Sequence, residues 1–308
     1  VIRSVAQNIR GRQDIHILAA ATAVFAWGTG PVMNKVMTVD TPAIVFYRTI
    51  LGTPLMIAVA YATGGKLTRD LLKQTALPGF LFALSFVTGF ASIKMTSIAN
   101  ATLITTIQPV LVLFVARRLF GERLAPRQLG YSFLSLAGVL MVVMAAASSS
   151  GAHVSGDLMA TANVVLWTGY FVLAKKNRLA GVHSWSFLAA IFIWLAVVVI
   201  PFGMVTSNDL GNMTTKDWLC ALGMTIGPGL VGHGLMTWSQ SHVDVTIASL
   251  LGLLSPVVST VLALIFLSEG LTAGQLLGGC VVLVSLGLLV RYQRGVSQER
   301  SVDAVVPS

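Results

Sequence analysis

The sequence predicts an all-α polytopic membrane protein, with ten transmembrane helices arranged as two inverted five-helix repeats. Three observations predict it. The 308 residues are 55% hydrophobic and only 10% charged, against about 25% charged in a typical soluble domain. Ten apolar stretches lie near 16–37, 41–62, 72–93, 97–118, 126–146, 157–175, 183–203, 217–239, 245–267 and 271–290. Each is close to the roughly 20 residues that a bilayer core about 30 Å thick requires. A module also recurs 147 residues further on: Leu103, Pro109, Val110, Glu122, Leu124, Gln128 and Leu129 reappear as Leu250, Pro256, Val257, Glu269, Leu271, Gln275 and Leu276. Lipid cannot satisfy backbone polar groups, so the spans must be helices or a closed barrel. The runs are too long and too uniformly apolar for alternating barrel strands of about 10 residues.

Charge orients these spans. A net charge of +9 can signal nucleic-acid binding, but its distribution points to topology instead. With the N-terminus in the cytoplasm, 16 of the 20 Lys and Arg fall on the cytoplasmic side. They are Arg3, Arg10, Arg12, Lys66, Arg69, Lys73, Arg117, Arg118, Arg123, Arg127, Lys175, Lys176, Arg178, Arg291, Arg294 and Arg300. Lys35, Lys94 and Lys216 fall outside, and Arg48 lies within a span. This is the positive-inside bias. Adding or removing one helix would reverse every later loop and destroy it. Both termini are therefore expected in the cytoplasm, in the inner membrane of a bacterium.

The organisation follows from the spans. Residues 1–15 form a cytoplasmic N-terminal segment, 16–146 the first repeat, 147–156 a Ser/Gly-rich linker, 157–291 the second repeat and 292–308 a cytoplasmic tail. The first span is about 20 residues long and reads as a retained helix rather than a signal peptide. Five helices per half mean that the second copy enters the membrane from the opposite side, which is an inverted repeat. Cys220 and Cys280 lack metal-ligand spacing, and no metal or cofactor is expected. The partners expected are a small-molecule substrate and the bilayer, with no nucleic acid. Two fused halves already complete a cavity, so a monomer is expected, with a dimer as the alternative.

Taken in order, the spans carry a sparse set of polar and aromatic residues. Trp27 and Trp167 lie about eleven residues into the first and sixth spans, deeper than interfacial belt residues such as Trp185, Trp218 and Trp238. A buried indole needs a partner for its N–H, and matched tryptophans can wall a cavity or simply pack. Phe86 and Tyr170 are candidates on the same ground. Arg48, in the second span, can bind a carboxylate bidentately or hold helix ends through carbonyl contacts. Pro109 and Pro256 are expected near the middle of the fourth and ninth helices. There each removes a backbone donor and marks a hinge at the interface between the halves. Gln108 and Ser255 precede them and offer hydrogen bonds without fixed charge. His233 sits in the glycine-rich GPGLVGHGLM stretch of the eighth span; it can relay protons, bind substrate, or remain a neutral core residue. Glu122 and Glu269 follow the fourth and ninth spans as capping or gate residues. No Asp or Glu falls in the interior of a predicted span, Asp157 and Asp217 standing at the edges of theirs, which disfavours proton antiport through a buried carboxylate.

At these residues the chain resembles the EamA-type branch of the drug/metabolite transporter superfamily. The motifs are Trp27-Gly28 with Lys35, Arg48 in FYRTI, and Pro109 followed by Gly121, Glu122, Gln128 and Gly130. The second copy carries Pro256, Glu269, Gln275 and Gly278, and departs at Ser268, where Gly is usual. The resemblance spans residues 15–291. It implies two inverted five-helix halves around a cavity lined mainly by helices 1, 3, 4, 6, 8 and 9, with helices 5 and 10 peripheral. It also implies alternating-access movement, often export, of small metabolites such as amino acids or related amines. Trp27, Arg48, Phe86, Gln108, Trp167, Tyr170, His233 and Ser255 are the expected substrate-binding residues. Pro109, Pro256, Glu122 and Glu269 are the expected hinges or gates. An enzyme is not expected; an intramembrane enzyme acting on a lipid-like substrate, or a small-solute channel, is the alternative.

Overall fold

A computed structural model describes residues 2–95, 101, 104–121, 125–146, 154–267 and 272–303. Glu122, Glu269 and residues 147–153 of the linker lie outside them. The described residues are helical throughout, without a strand. The helices are α1 (Ile2–Val36), α2 (Thr41–Ala62), α3 (Arg69–Met95), α4 (Gln108–Phe120), α5 (Pro126–Ala146), α6 (Val154–Leu179), α7 (Ser184–Thr206), α8 (Thr215–Ser239), α9 (Val245–Leu251), α10 (Leu254–Leu267) and α11 (Ala273–Asp303). Among the described residues, six segments are long and apolar enough to cross a membrane: Asp14–Val36, Thr41–Ala62, Arg69–Met95, Val154–Leu179, Ser184–Thr206 and Thr215–Ser239. Large apolar side chains, including Phe25, Leu77, Phe114, Phe133 and Leu277, face outward. Such a surface is adapted to lipid rather than to water.

Helix ends follow local chemistry. Asp40 caps α2 by accepting from the Ala43 N–H at 2.8 Å, and Pro42 occupies the first turn, where a missing N–H costs nothing. α4 ends at Gly121, whose φ of 66° is left-handed backbone that glycine adopts without a Cβ clash. α8 begins with a reciprocal capping box between Thr214 and Asp217.

The prolines stand differently from the expectation. They do not interrupt the middle of continuous helices; they open the second segment of broken ones. Before Pro109 the chain turns at 106–107, with Ile107 N–H donating to the Ile104 carbonyl at 3.2 Å and Val110 N–H to Ile107 at 3.0 Å. Before Pro256 it turns at 252–253, with Leu253 N–H donating to Leu250 and Ser255 N–H to Gly252, each at 3.0 Å. Proline has no N–H and clashes with the preceding turn, so tighter turns take over and the proline joins the first turn of the next segment.

α2 packs on α7, α3 on α6 and α7, α1 on α8 and α10, α4 on α6 and α9, and α5 on α11. Three apolar cores result among the described residues. One joins Ile17, Val24, Val112, Ile247, Leu250 and Val282. A second joins Val45, Met56, Phe82, Phe187, Ile191 and Leu195. Trp167 packs against both. The third joins Met37, Val39, Ala43, Ile44, Ala221 and Met224.

Candidate functional site

Of the residues that sequence reasoning singled out, Trp27 and Trp167 meet at His233, with Tyr170 beside Trp167. His233 lies at the end of a π-helical stretch, Thr225–His233, within α8. Such stretches are rare and concentrate at functional sites. Pro228 inside the stretch has no N–H to return to the Met224 carbonyl four residues earlier. The His233 ring, on a buried residue, is ringed by aromatics from four other helices. Phe82 of α3 lies 5.2 Å away edge-on, Trp27 of α1 at 5.4 Å, Trp167 of α6 at 5.8 Å and Phe192 of α7 at 6.5 Å, between centroids. Trp27 and Trp167 meet nearly perpendicular at 5.5 Å. Tyr170 stacks against Phe82 at 4.7 Å and Trp167 at 5.2 Å, while its hydroxyl pairs with Thr237.

Close helix approach builds this cluster. A Cβ on Gly232 would stand 2.6 Å from the Trp27 indole nitrogen, so only glycine lets that ring lie against α8. A Cβ on Gly28 would stand 2.6 Å from the Val258 side chain. Its absence brings α10 close enough for Ser259 Oγ to donate to the Gly28 carbonyl at 2.8 Å.

Gln108 and Ser255 lie at the two helix breaks. Gln108 Oε1 comes within 3.9 Å of the point where a Gly252 Cβ would be, so the break in one span faces that in the other. Ser255 offers its carbonyl to Ser259 Oγ at 3.0 Å. Pro109 is buried and Pro256 half-buried. Two donors here are buried without a partner among the described residues, Trp27 Nε1 and Gln108 Nε2. Unmade buried hydrogen bonds are costly and call for an explanation, a bound polar group being one.

Arg48 and Phe86 form the flank. The Arg48 guanidinium lies 4.9 Å from the centroids of both Phe86 and Phe90. Its Nη2 donates to the Met224 carbonyl at 3.1 Å. Phe86 in turn touches Phe82 at 5.8 Å.

Phe82 and Phe192 were missed by sequence reasoning, because a phenylalanine in an apolar span carries no signal of its own. Two fastenings of α8 were missed as well. At its start, Asp217 accepts from Thr38 N–H and Oγ1 at 2.8 Å each, Thr214 N–H at 3.0 Å and Thr214 Oγ1 at 2.6 Å. Beside it, Asp40 accepts from Ser207 Oγ at 2.8 Å and Asn208 N–H at 2.9 Å. Burial raises the Asp40 pKa, but the hydrogen bonds from Ala43, Asn208 and Ser207, with the charge of Lys94, outweigh it and hold the carboxyl below its ordinary range. At the far end of α8, Lys175 Nζ donates to the carbonyls of Gln240 and Val243 at 2.7 Å each. Arg178 donates there to the Thr237 carbonyl at 3.0 Å and to the Val182 carbonyl.

A polytopic bundle whose broken helices converge on a mixed aromatic and polar centre has the build of a membrane transport protein. The chain belongs to the EamA-like transporter family, whose model matches it twice, over residues 14–144 and 154–291. It is similar to the pseudopaline exporter CntI of Pseudomonas aeruginosa, 26% identical over 91% of this chain and 97% of that one. It is similar also to the aromatic amino acid exporter YddG of Ancylobacter novellus, 26% identical over 87% and 93% respectively. A crystal structure 23% identical to this chain shares the fold with a TM-score of 0.75, over 89% of this chain and 98% of the other.

Proposed function

We propose that this protein is an alternating-access exporter of small organic metabolites, such as amino acids or related amines, in a bacterial inner membrane. It works as a carrier, not as an enzyme. It has ten transmembrane helices, as two inverted five-helix repeats with both termini cytoplasmic, and functions as a monomer. The observation that carries the reading is the His233 cluster. Aromatics from five helices meet there, beside two buried donors that lack partners.

The helix contacts support the inverted repeat. If α1–α5 and α6–α11 are the two copies, with α9 and α10 together the ninth span, the packing of α3 on α6 and of α8 on α1 exchange with each other. The pairs α2 with α7, α4 with α9, and α5 with α11 map onto themselves. The double match of the family model and the paired breaks before Pro109 and Pro256 support it further. The basic residues gathered on one side support the orientation, and the names of the exporter relatives support the cargo class.

Trp27, Trp167, His233, Tyr170 and Phe86 then wall the cargo site, and Gln108 and Ser255 supply hydrogen bonds from the breaks. Pro109 and Pro256 let the broken helices pivot, and Glu122 and Glu269 act as gate residues. Counterflow in proteoliposomes with a panel of labelled amino acids, amines and other small metabolites tests this. Exchange of at least one compound, lost on replacing Trp167 with Ala, is expected. No exchange of any member would refute the cargo class.

A further inference from the structure

Arg48 carries more hydrogen-bonding capacity than its position uses. It stands on α2, 7% exposed, and a guanidinium stays charged in proteins. The acceptor found for it among the described residues is the Met224 carbonyl, reached by Nη2. Nε is buried without a partner. Phe86 and Phe90, whose ring centroids lie 4.9 Å apart, sit together beside it; they stabilise the cation but accept no hydrogen bond in its plane. No carboxylate acts on it among the described residues. A charge within a membrane span with neither counter-ion nor full hydrogen bonding is costly and marks a functional site.

A purely structural role needs only the Nη2 contact, which ties α2 to the Met224 carbonyl at the start of the π-helical stretch. A lysine would serve that as well. What remains unused is an in-plane N–H of a planar fork, the feature that suits arginine to carboxylates. Phe86 links this fork to the aromatic centre. It lies under Arg48 and touches Phe82, which meets both Trp167 and His233.

We propose that Arg48 is an anion subsite, which receives the carboxylate of a ligand whose planar or apolar body lies against Phe82, Trp167 and His233. The inference rests on reading the His233 cluster as the cargo site. It adds a charge selectivity: an organic carboxylate binds where its uncharged amide does not.

The test compares three carboxylates with their primary amides: benzoate with benzamide, 3-phenylpropionate with 3-phenylpropionamide, and indole-3-acetate with indole-3-acetamide. Binding to the purified full chain is read as ligand-dependent thermal stabilisation. At least one acid is expected to half-saturate at about tenfold lower concentration than its amide, as loss of a charge-assisted bidentate pair implies. Arg48→Gln should bring that ratio near one. Arg48→Lys keeps the charge and the Met224 contact but not the fork; it should fold and shrink the ratio about threefold or more. Wild type that distinguishes none of the three pairs overturns the proposal, and so does a ratio unchanged in Arg48→Lys. The preferred acid is then offered to proteoliposomes. Preference without movement leaves the Arg48 subsite standing and removes the transport reading instead.

Discussion

The two ends of α8 are fastened by opposite chemistry. At its N-terminal end, near Asp40, the fasteners are carboxylates accepting from neutral donors: Asp217 from Thr38 and Thr214, and Asp40 from Ser207 and Asn208. At its C-terminal end, the fasteners are cations donating to carbonyls: Lys175 to Gln240 and Val243, and Arg178 to Thr237. Each sign matches the helix dipole, anions at the positive N-terminus and cations at the negative C-terminus. Between them lies the π-helical stretch with His233. The helix that carries the centre of the site is thus pinned at both ends and irregular in the middle. For a carrier this is useful, because either end can let go without the other. The fastenings also join the halves of the chain at the Asp40 end, since Thr38 and Asp40 precede α2 while Ser207 and Asp217 flank the α7–α8 connection.

The largest expected effect is at the Asp40 end. Asp217 is fully buried, and Asp217→Ala leaves its Thr38 and Thr214 donors unmatched and removes the N3 half of the capping box of α8. A loss of about 3 kcal/mol is expected in denaturant unfolding of the purified protein. Lys175→Met should cost less, about 2 kcal/mol, because it frees two carbonyls, each with a second lone pair, where Asp217→Ala breaks four hydrogen bonds to a carboxylate. Equal losses would mean that the two ends do not differ as described.

In the middle, Gly232→Ala forces the Trp27 indole away from α8 and should cost about 1–2 kcal/mol. It should abolish cargo-dependent stabilisation while leaving both ends intact. Acid should weaken the Asp40 end. The Asp40 carboxyl is held below its ordinary range, so its contribution is present above the unfolded value, near pH 4. It is lost as pH falls through the lower folded value. Wild type should therefore lose more stability than Asp40→Asn between about pH 5 and pH 3, and parallel pH profiles would contradict this. The smallest stability effect is expected for Trp27→Phe. It removes a buried donor that has no partner, so stability should stay within about 0.5 kcal/mol while cargo affinity falls. An equal fall in both would make Trp27 a packing residue.

Much of the architecture was legible from hydropathy, because lipid imposes long apolar runs that end where capping and polarity begin. The second and fifth predicted spans coincide with α2 and α5 to the residue. Trp27, Trp167, Tyr170, Phe86 and His233 were legible because aromatics and imidazole at membrane depth are few, and they do come together. The helix breaks were only half legible. Proline signals lost hydrogen bonding, but whether a helix kinks or restarts depends on the turn that packing allows before it. Phe82 and Phe192 were invisible, since their role comes from which helices are neighbours. Asp217 read as a loop-edge acid because its four donors come from Thr38 and Thr214, the first of them 179 residues away. Lys175 read as one more basic topology marker. Its carbonyl partners lie beyond the end of α8 and have no sequence signature.

Reciprocal accessibility at the two ends tests the central claim most directly. Cys220 and Cys280 are free thiols, so both are first replaced with Ala. Single cysteines are then placed at Asn208, whose contact to Asp40 is made by its backbone N–H, and at Ser241, beside Arg178, and labelled in open membranes with an impermeant thiol reagent. A carrier whose ends open in turn predicts that Lys175→Met speeds labelling at position 241 and slows it at 208, while Asp217→Asn does the reverse. Faster labelling at both positions in either variant would mean general loosening, and would contradict alternating access.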